Sequence, residues 1–406
     1  MSQAIILLVV LASLGCMMLR PFGVREAVPA LAGALLLVVL GALGPVAALR
    51  AAGQGMEVYL FLAGMMLLAE LALLQGVFAW AASHLARLAQ GSAAKLFALV
   101  YGLAVVITVL LSNDATAVVF TPAVAAMTVA AGVRKPLPYL LICAFVANAA
   151  SFVLPISNPA NLVLFDGRMP RLAEWLSLFG LASLLAIAAT YGLLWLTQRR
   201  ALAGALLVPR DMPRLTAGGR WTLTGLAGAA LLLILASGFG WPLGLLTCLL
   251  GVFCVALVSA LARQHPWPVV RGVSWSVLPM VAGLFVMVGA LDKAGLAAQA
   301  AGWARAGLLP VGVGVALLSN IANNLPVGLL AAHIFAGAAA GQKAAALIGV
   351  DLGPNLSVTG SLATILWLNA LRRQGLEMSA WRFLALGAVM TPPALALALA
   401  GLWLSL

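Results

Sequence analysis

The chain carries very little charge. Asp, Glu, Lys and Arg make up 8% of its 406 residues, and acids are the scarcest, with ten against 22 Lys and Arg. Soluble domains average about 25% charged residues, so an ordinary solvated surface cannot be assembled from this sequence. Histidine is also rare, at three, and the four cysteines, Cys16, Cys143, Cys248 and Cys254, are scattered inside apolar tracts. Without a CxxC pair or a Cys/His cluster, neither a zinc site nor a disulfide framework is expected, and no cofactor is implied. The sequence also lacks GxxxxGK[ST], HExxH and GxSxG, which excludes ATP hydrolysis by a P-loop and the chemistry of the other two motifs. A protein that is not an enzyme is the expectation.

What is present is hydrophobicity: 64% of residues are apolar and mean hydropathy is +1.14. At roughly 20 residues per crossing, the apolar tracts predict ten transmembrane helices. They lie near residues 2–19, 27–49, 57–82, 138–165, 173–197, 221–240, 242–262, 274–291, 345–371 and 383–404. Residues 1–19 have no basic start and are read as a retained span. Two further tracts, 96–133 and 308–340, are interrupted midway by polar residues and are read as re-entrant helical hairpins. The net charge of +12 then falls in short loops, where it reports topology instead of nucleic-acid binding. With the hairpins entering and leaving on one side, sixteen Lys and Arg lie on one face and six on the other. By the positive-inside rule the first face is cytoplasmic, and both termini lie outside.

The halves repeat. Leu110-Leu111-Ser112-Asn113 recurs as Leu317-Leu318-Ser319-Asn320, and Ala63-Gly64 recurs as Ala282-Gly283. The expected fold is an all-α membrane protein, ten transmembrane helices plus two re-entrant hairpins in two inverted repeats. Residues 1–197 and 221–406 form the repeats, and the basic stretch 198–220, with Pro209 and Pro213, is a cytoplasmic linker. Because five crossings per repeat is odd, the second repeat is inserted upside down. Its hairpin enters from outside, the first from the cytoplasm.

This topology leaves seven acids in loops or at membrane boundaries: Glu26, Glu57, Asp166, Glu174, Asp211, Asp292 and Glu377. Three remain inside, Glu70, Asp114 and Asp351. An ionised carboxylate in hydrocarbon costs at least about 2.5 kcal/mol, so such groups line watery paths or take up protons. Asp114 and Asp351 stand in polar breaks. The first pair of breaks, at the hairpin tips, is Ser112-Asn113-Asp114-Ala115-Thr116 and Ser319-Asn320-Ile321-Ala322-Asn323-Asn324. The second pair interrupts the following crossings, at residues 155–161 and 351–361. One such cluster alone would read as interhelical glue. Four in repeat-related pairs point to a site, because unwound backbone is tolerated at membrane depth only around a cavity. Half-helices starting there would aim N–H groups inward, which suits an oxygen-rich polar solute. Of the remaining polar or soft groups, His333 is read as structural, Met65 and Met66 as packing, and the eleven Trp as a largely interfacial belt.

The stretch from Gly349-Val350-Asp351-Leu352-Gly353-Pro354-Asn355 to Gly360-Ser361-Leu362-Ala363-Thr364-Ile365-Leu366-Trp367-Leu368 closely resembles the signature of the ArsB-type arsenical pump membrane proteins. Ser112-Asn113-Asp114 with Thr121-Pro122, and Ser157-Asn158-Pro159-Ala160-Asn161, resemble the matching first-half motifs. The resemblance runs over nearly the whole chain, although the Ser-Asn tips alone are shared with the wider ion-transporter superfamily. It implies export of trivalent arsenite and antimonite from a bacterial cytoplasm across the inner membrane in exchange for protons, by an elevator-type movement. A soluble ATPase partner is part of some such systems. The residues expected to line the substrate site are Asn113, Thr116, Asn158, Asn161, Asn320, Asn323, Thr359 and Ser361, with Asp114 and Asp351 as proton carriers. The alternatives are a sodium-coupled carboxylate or sodium/proton carrier, and a membrane anchor for an ATPase-driven pump.

Overall fold

Backbone in hydrocarbon must satisfy its own hydrogen bonds, and helices do so within one segment. The computed structural model is accordingly helical, with no strand among the described residues, which are 2–19, 24–165, 169–202, 204–208 and 213–406. The charges at Arg20, Asp166, Arg168, Arg210 and Asp211, and Pro209 of the expected linker, lie outside the described residues.

The first half runs α1 (Gln3–Leu19), α2 (Ala27–Val39), α3 (Pro45–Gln54), α4 (Met56–Leu74), α5 (Val77–Leu88), α6 (Ala93–Leu110), α7 (Thr121–Ala130), α8 (Leu137–Ala149), α9 (Pro159–Phe165) and α10 (Leu172–Gln198). The second runs α11 (Ala217–Phe239), α12 (Leu243–Ala262), α13 (Trp267–Gly272), α14 (Val277–Lys293), α15 (Leu296–Ala300), α16 (Leu308–Ala322), α17 (Asn324–Ile334), α18 (Ala340–Leu352), α19 (Leu362–Arg373) and α20 (Ala380–Ser405). Element for element the order recurs: a long helix, two helices each followed by a shorter one, a hairpin, a broken helix and a long closing helix.

Six described helices, α4, α6, α10, α11, α12 and α20, are each long and apolar enough to cross a membrane. Several other expected crossings are divided. The tract 27–49 turns at Gly41, whose φ of +76° favours glycine, and restarts at Pro45, whose missing N–H costs nothing in a first helical turn. The tracts 138–165 and 345–371 are divided into α8 and α9 and into α18 and α19.

The repeated Ala-Gly pairs have a packing role. Helix α4 lies along α12, and α14 lies along α2. Gly64 of α4 meets the backbone of Thr247 and Cys248 in α12, and a Cβ on Gly283 of α14 would stand 2.7 Å from the Ala30 carbonyl oxygen of α2. Each glycine lets two backbones approach more closely than any side chain permits. The expected tryptophan belt is only part of the picture. Trp221, Trp241 and Trp381 are exposed, but Trp175 and Trp367 are fully buried and donate their indole N–H groups to the carbonyls of Phe152 (3.1 Å) and Leu140 (2.9 Å). The second bond ties α19 of one half to α8 of the other.

Candidate functional site

Four helix starts meet at one cavity. In the first hairpin the chain leaves α6 at Leu110 and re-enters helix at Asn113. Ser112 caps this second limb, its Oγ accepting the Ala115 N–H at 3.2 Å, while Asn113 Oδ1 accepts the Asp114 N–H at 2.9 Å. The limb widens to a π turn over Ala115–Phe120 before Pro122, whose ring and missing N–H interrupt regular α hydrogen bonding. In the first broken helix Asn158 precedes α9, and its Oδ1 accepts the Ala160 N–H at 3.0 Å. In the second, Ser361 caps α19 through the Ala363 N–H at 3.2 Å. The fourth start, α17, follows Asn323.

The two hairpin tips match in sequence but not in local structure. Ser112-Asn113 opens the second limb of its hairpin, whereas Ser319-Asn320 still belongs to the first limb, α16, which continues to Ala322. The turn falls at Asn323, held at φ +73° and ψ 152°. Glycine tolerates that region, and other residues pay of order 1–3 kcal/mol to occupy it.

The cavity has a volume of about 60 Å³, whereas a single water needs roughly 10–15 Å³. Its polar lining comes from Asn113, Asp114, Asn158, Asn323, Asn324, Ser361 and Glu26, and no Lys or Arg lines it among the described residues. Of the residues expected from the sequence, Asn113, Asn158, Asn323, Ser361 and Asp114 therefore reach it. Asn324 and Glu26 were not anticipated. The sequence places Asn324 only in a hairpin tip and Glu26 at a membrane boundary.

The other expected residues lie behind the lining and brace it. Thr116 shares a 2.7 Å hydrogen bond with Thr108 of α6. Asn161 donates to the carbonyls of Ser151 (2.9 Å), Leu154 (3.2 Å) and Pro155 (3.3 Å), holding the first break in shape. Asn320 donates to the Gly353 carbonyl at 2.9 Å and accepts the Ser357 hydroxyl at 2.7 Å, while Thr359 donates to the Asn320 carbonyl at 3.1 Å. These bonds fasten the second hairpin to the second broken helix. Asp351 is fully buried behind Asn158, which donates to its Oδ1 at 2.8 Å. A further link joins the halves: Asn148 donates to Asn355 Oδ1 at 3.0 Å, and Asn355 donates to the Phe145 carbonyl at 2.9 Å. Asn148, a lone carboxamide in an apolar run, was the available signal for it.

A second cavity of about 500 Å³ adjoins the first, and Leu62, Asp114, Pro159, Val277 and Leu362 line both. Glu70, Asn369, Arg373 and Gln374 line its other parts. Asp114 thus stands at the junction, partly buried, its carboxylate without a hydrogen-bond partner among the described residues.

Known proteins resemble this chain in sequence and in fold. Arsenical pump membrane proteins of Yersinia enterocolitica and Escherichia coli K12 are 33% and 32% identical over 354 and 358 residues, covering 82% of this chain and 82% of each relative. The chain belongs to the arsenical pump membrane protein family. The citrate transporter family also matches, over residues 6–356, so the family is one of membrane transporters. The crystal structure of the Alcanivorax borkumensis YdaH transporter, described as having an unusual topology, shares the fold with a TM-score of 0.55. It is 16% identical and is matched over 91% of this chain and 88% of that one. The protein is thus a multi-pass membrane transporter with an all-helical fold.

Proposed function

We propose that this arsenical pump family member exports trivalent arsenite and antimonite from the bacterial cytoplasm across the inner membrane in exchange for protons, its two halves being inverted repeats. The observation that carries the reading is the composition of the small cavity: side-chain amides, a hydroxyl and four helix starts surround it, with carboxyl groups and, among the described residues, no basic side chain. At neutral pH arsenite is mainly uncharged As(OH)3. Carboxamides, hydroxyls and backbone N–H groups hydrogen-bond to such a solute without needing thiolates. An uncharged solute gains nothing from the membrane potential, so uphill export needs a coupled ion. Asp114, at the junction of the two cavities, is the residue to carry it.

The larger cavity reaches Arg373, which the charge distribution assigns to the cytoplasm. The conformation is therefore read as inward-facing, with the hairpins and broken helices as the moving part. The match to the citrate transporter family supports a second reading, a carboxylate carrier. A tricarboxylate would then have to bind beside Asp114 with no Lys or Arg lining the small cavity among the described residues, which the charges disfavour. Proteoliposomes holding the protein alone decide between them. The proposal expects arsenite transport driven by an imposed proton gradient without ATP. Citrate transport with no arsenite transport would replace it.

A further inference from the structure

A third cavity, of about 260 Å³, lies between α5, α6 and α11 and shares no lining residue with the two polar cavities. Among its lining side chains only the Trp80 indole carries a polar atom. Water in such a space would find no partners, whereas a hydrocarbon chain needs none. Val106 of α6 and Leu223 of α11 line it and are exposed, so it opens on the flank of the molecule, between two helices apolar enough to cross a membrane. The lining follows helix periodicity toward one end of the bundle. On α11, Leu223, Ala227 and Ala230 recur at spacings of three and four, and Arg220 is the next position of that stripe. On α6 the stripe of Leu110, Val106 and Leu103 runs back through Leu99 to Lys95. On α5 it runs from Trp80 through His84 to Arg87. All three basic residues are exposed, and none has a carboxylate partner among the described residues. They stand at the end that the charge distribution assigns to the cytoplasm. From Arg220 to Ala230 is about 15 Å of helix, the depth of one leaflet in a hydrocarbon core about 30 Å thick.

We propose that this cavity binds one acyl chain of an anionic phospholipid from the cytoplasmic leaflet, whose phosphate is held at the level of Arg87, Lys95 and Arg220. The apolar walls suit the chain, and three unpaired cations at the end of all three stripes suit a negatively charged headgroup. A zwitterionic headgroup offers them no net charge. The cavity reaches Leu110 and Leu111, directly ahead of Ser112, which caps the second limb of the first hairpin. Helix α11, on the opposite wall, packs against α12 and α4. The bound chain therefore fills the space between the first hairpin and the α11–α12 pair and supports the hairpin tip from the side away from the polar cavity.

The test is native mass spectrometry of the full-length protein, purified in detergent and mixed with phosphatidylglycerol or with phosphatidylcholine of the same acyl chains. The wild type is expected to retain one phosphatidylglycerol and to bind it about tenfold more tightly than phosphatidylcholine. Ala227→Phe, which puts a ring into the cavity, is expected to retain neither. The triple variant Arg87→Gln, Lys95→Gln, Arg220→Gln is expected to bind the two lipids equally. Three results overturn the site: a wild type that retains no lipid or does not distinguish the two, retention by Ala227→Phe equal to the wild type, or a dimer carrying no lipid, which would mean a second copy covers this flank. If Ala227→Phe does not fold, the triple variant decides, and an undiminished preference for phosphatidylglycerol would place the lipid elsewhere. The assay contains no metalloid, so its outcome is independent of the arsenite reading.

Discussion

Asn158 donates its side-chain amide to Asp351 across 2.8 Å, and the same residue's carbonyl oxygen Oδ1 caps α9 through Ala160. One side chain thus orients a helix start at the cavity and supplies a hydrogen bond to a buried carboxyl group of the other half. Asn158→Ala should cost about 2–3 kcal/mol, combining a lost cap with a lost hydrogen bond to a carboxyl group. Asn158→Asp keeps the cap but sets two carboxyl groups against each other, and it should be worse. Adding Asp351→Asn to Asn158→Asp restores the amide–carboxyl pair in reverse. Thermal unfolding of the four proteins should show that rescue, and strictly additive losses would mean the pair is not coupled.

The Asp114 carboxyl group has no hydrogen-bond partner among the described residues and opens to both cavities, so its replacement should be mild for folding and severe for coupling. In everted vesicles Asp114→Asn should abolish proton-driven arsenite uptake while expression and Tm stay near wild type. Unchanged uptake would remove Asp114 from the mechanism.

Asn113 and Thr116 are three residues apart but face different surroundings, one the cavity and the other α6. Asn113→Ala should lower arsenite transport about tenfold, the equivalent of one hydrogen bond near 1.4 kcal/mol, and should also lose about 1 kcal/mol of stability with its bond to the Asp114 N–H. Thr116→Val should lose a similar amount of stability but keep apparent arsenite affinity. Equal effects of the two on affinity would contradict this division into lining and bracing residues.

Asn323 holds a backbone conformation that glycine tolerates. Asn323→Gly should raise Tm by relieving about 1 kcal/mol of strain, and it should also weaken arsenite transport because a cavity-lining amide is gone. A fall in Tm would show that the side chain's 3.4 Å contact with the Thr359 carbonyl outweighs the strain.

Gly283→Val should prevent recovery of folded protein by size-exclusion chromatography, since even a Cβ would stand 2.7 Å from the Ala30 carbonyl oxygen. Gly102→Ala, where a Cβ meets nothing within 4 Å, should elute as wild type.

The hydrophobic tracts, the charge asymmetry and the doubled Ser-Asn and Ala-Gly pairs were enough to determine an all-helical membrane protein with two similar halves and two broken regions in each. Those properties depend on composition and on short spacings along the chain. Bilayer thickness and backbone hydrogen bonding act on them directly, before any long-range contact forms. Tertiary structure alone decided which polar side chains face the cavity. Asn113 and Thr116 are equally polar at the sequence level, but helical rotation turns one toward the cavity and the other toward α6. Identical Ser-Asn pairs came to differ because the turn falls before one and after the other. The link from Asn158 to Asp351 spans 193 residues, and only the packing of one half against the other brings the two together.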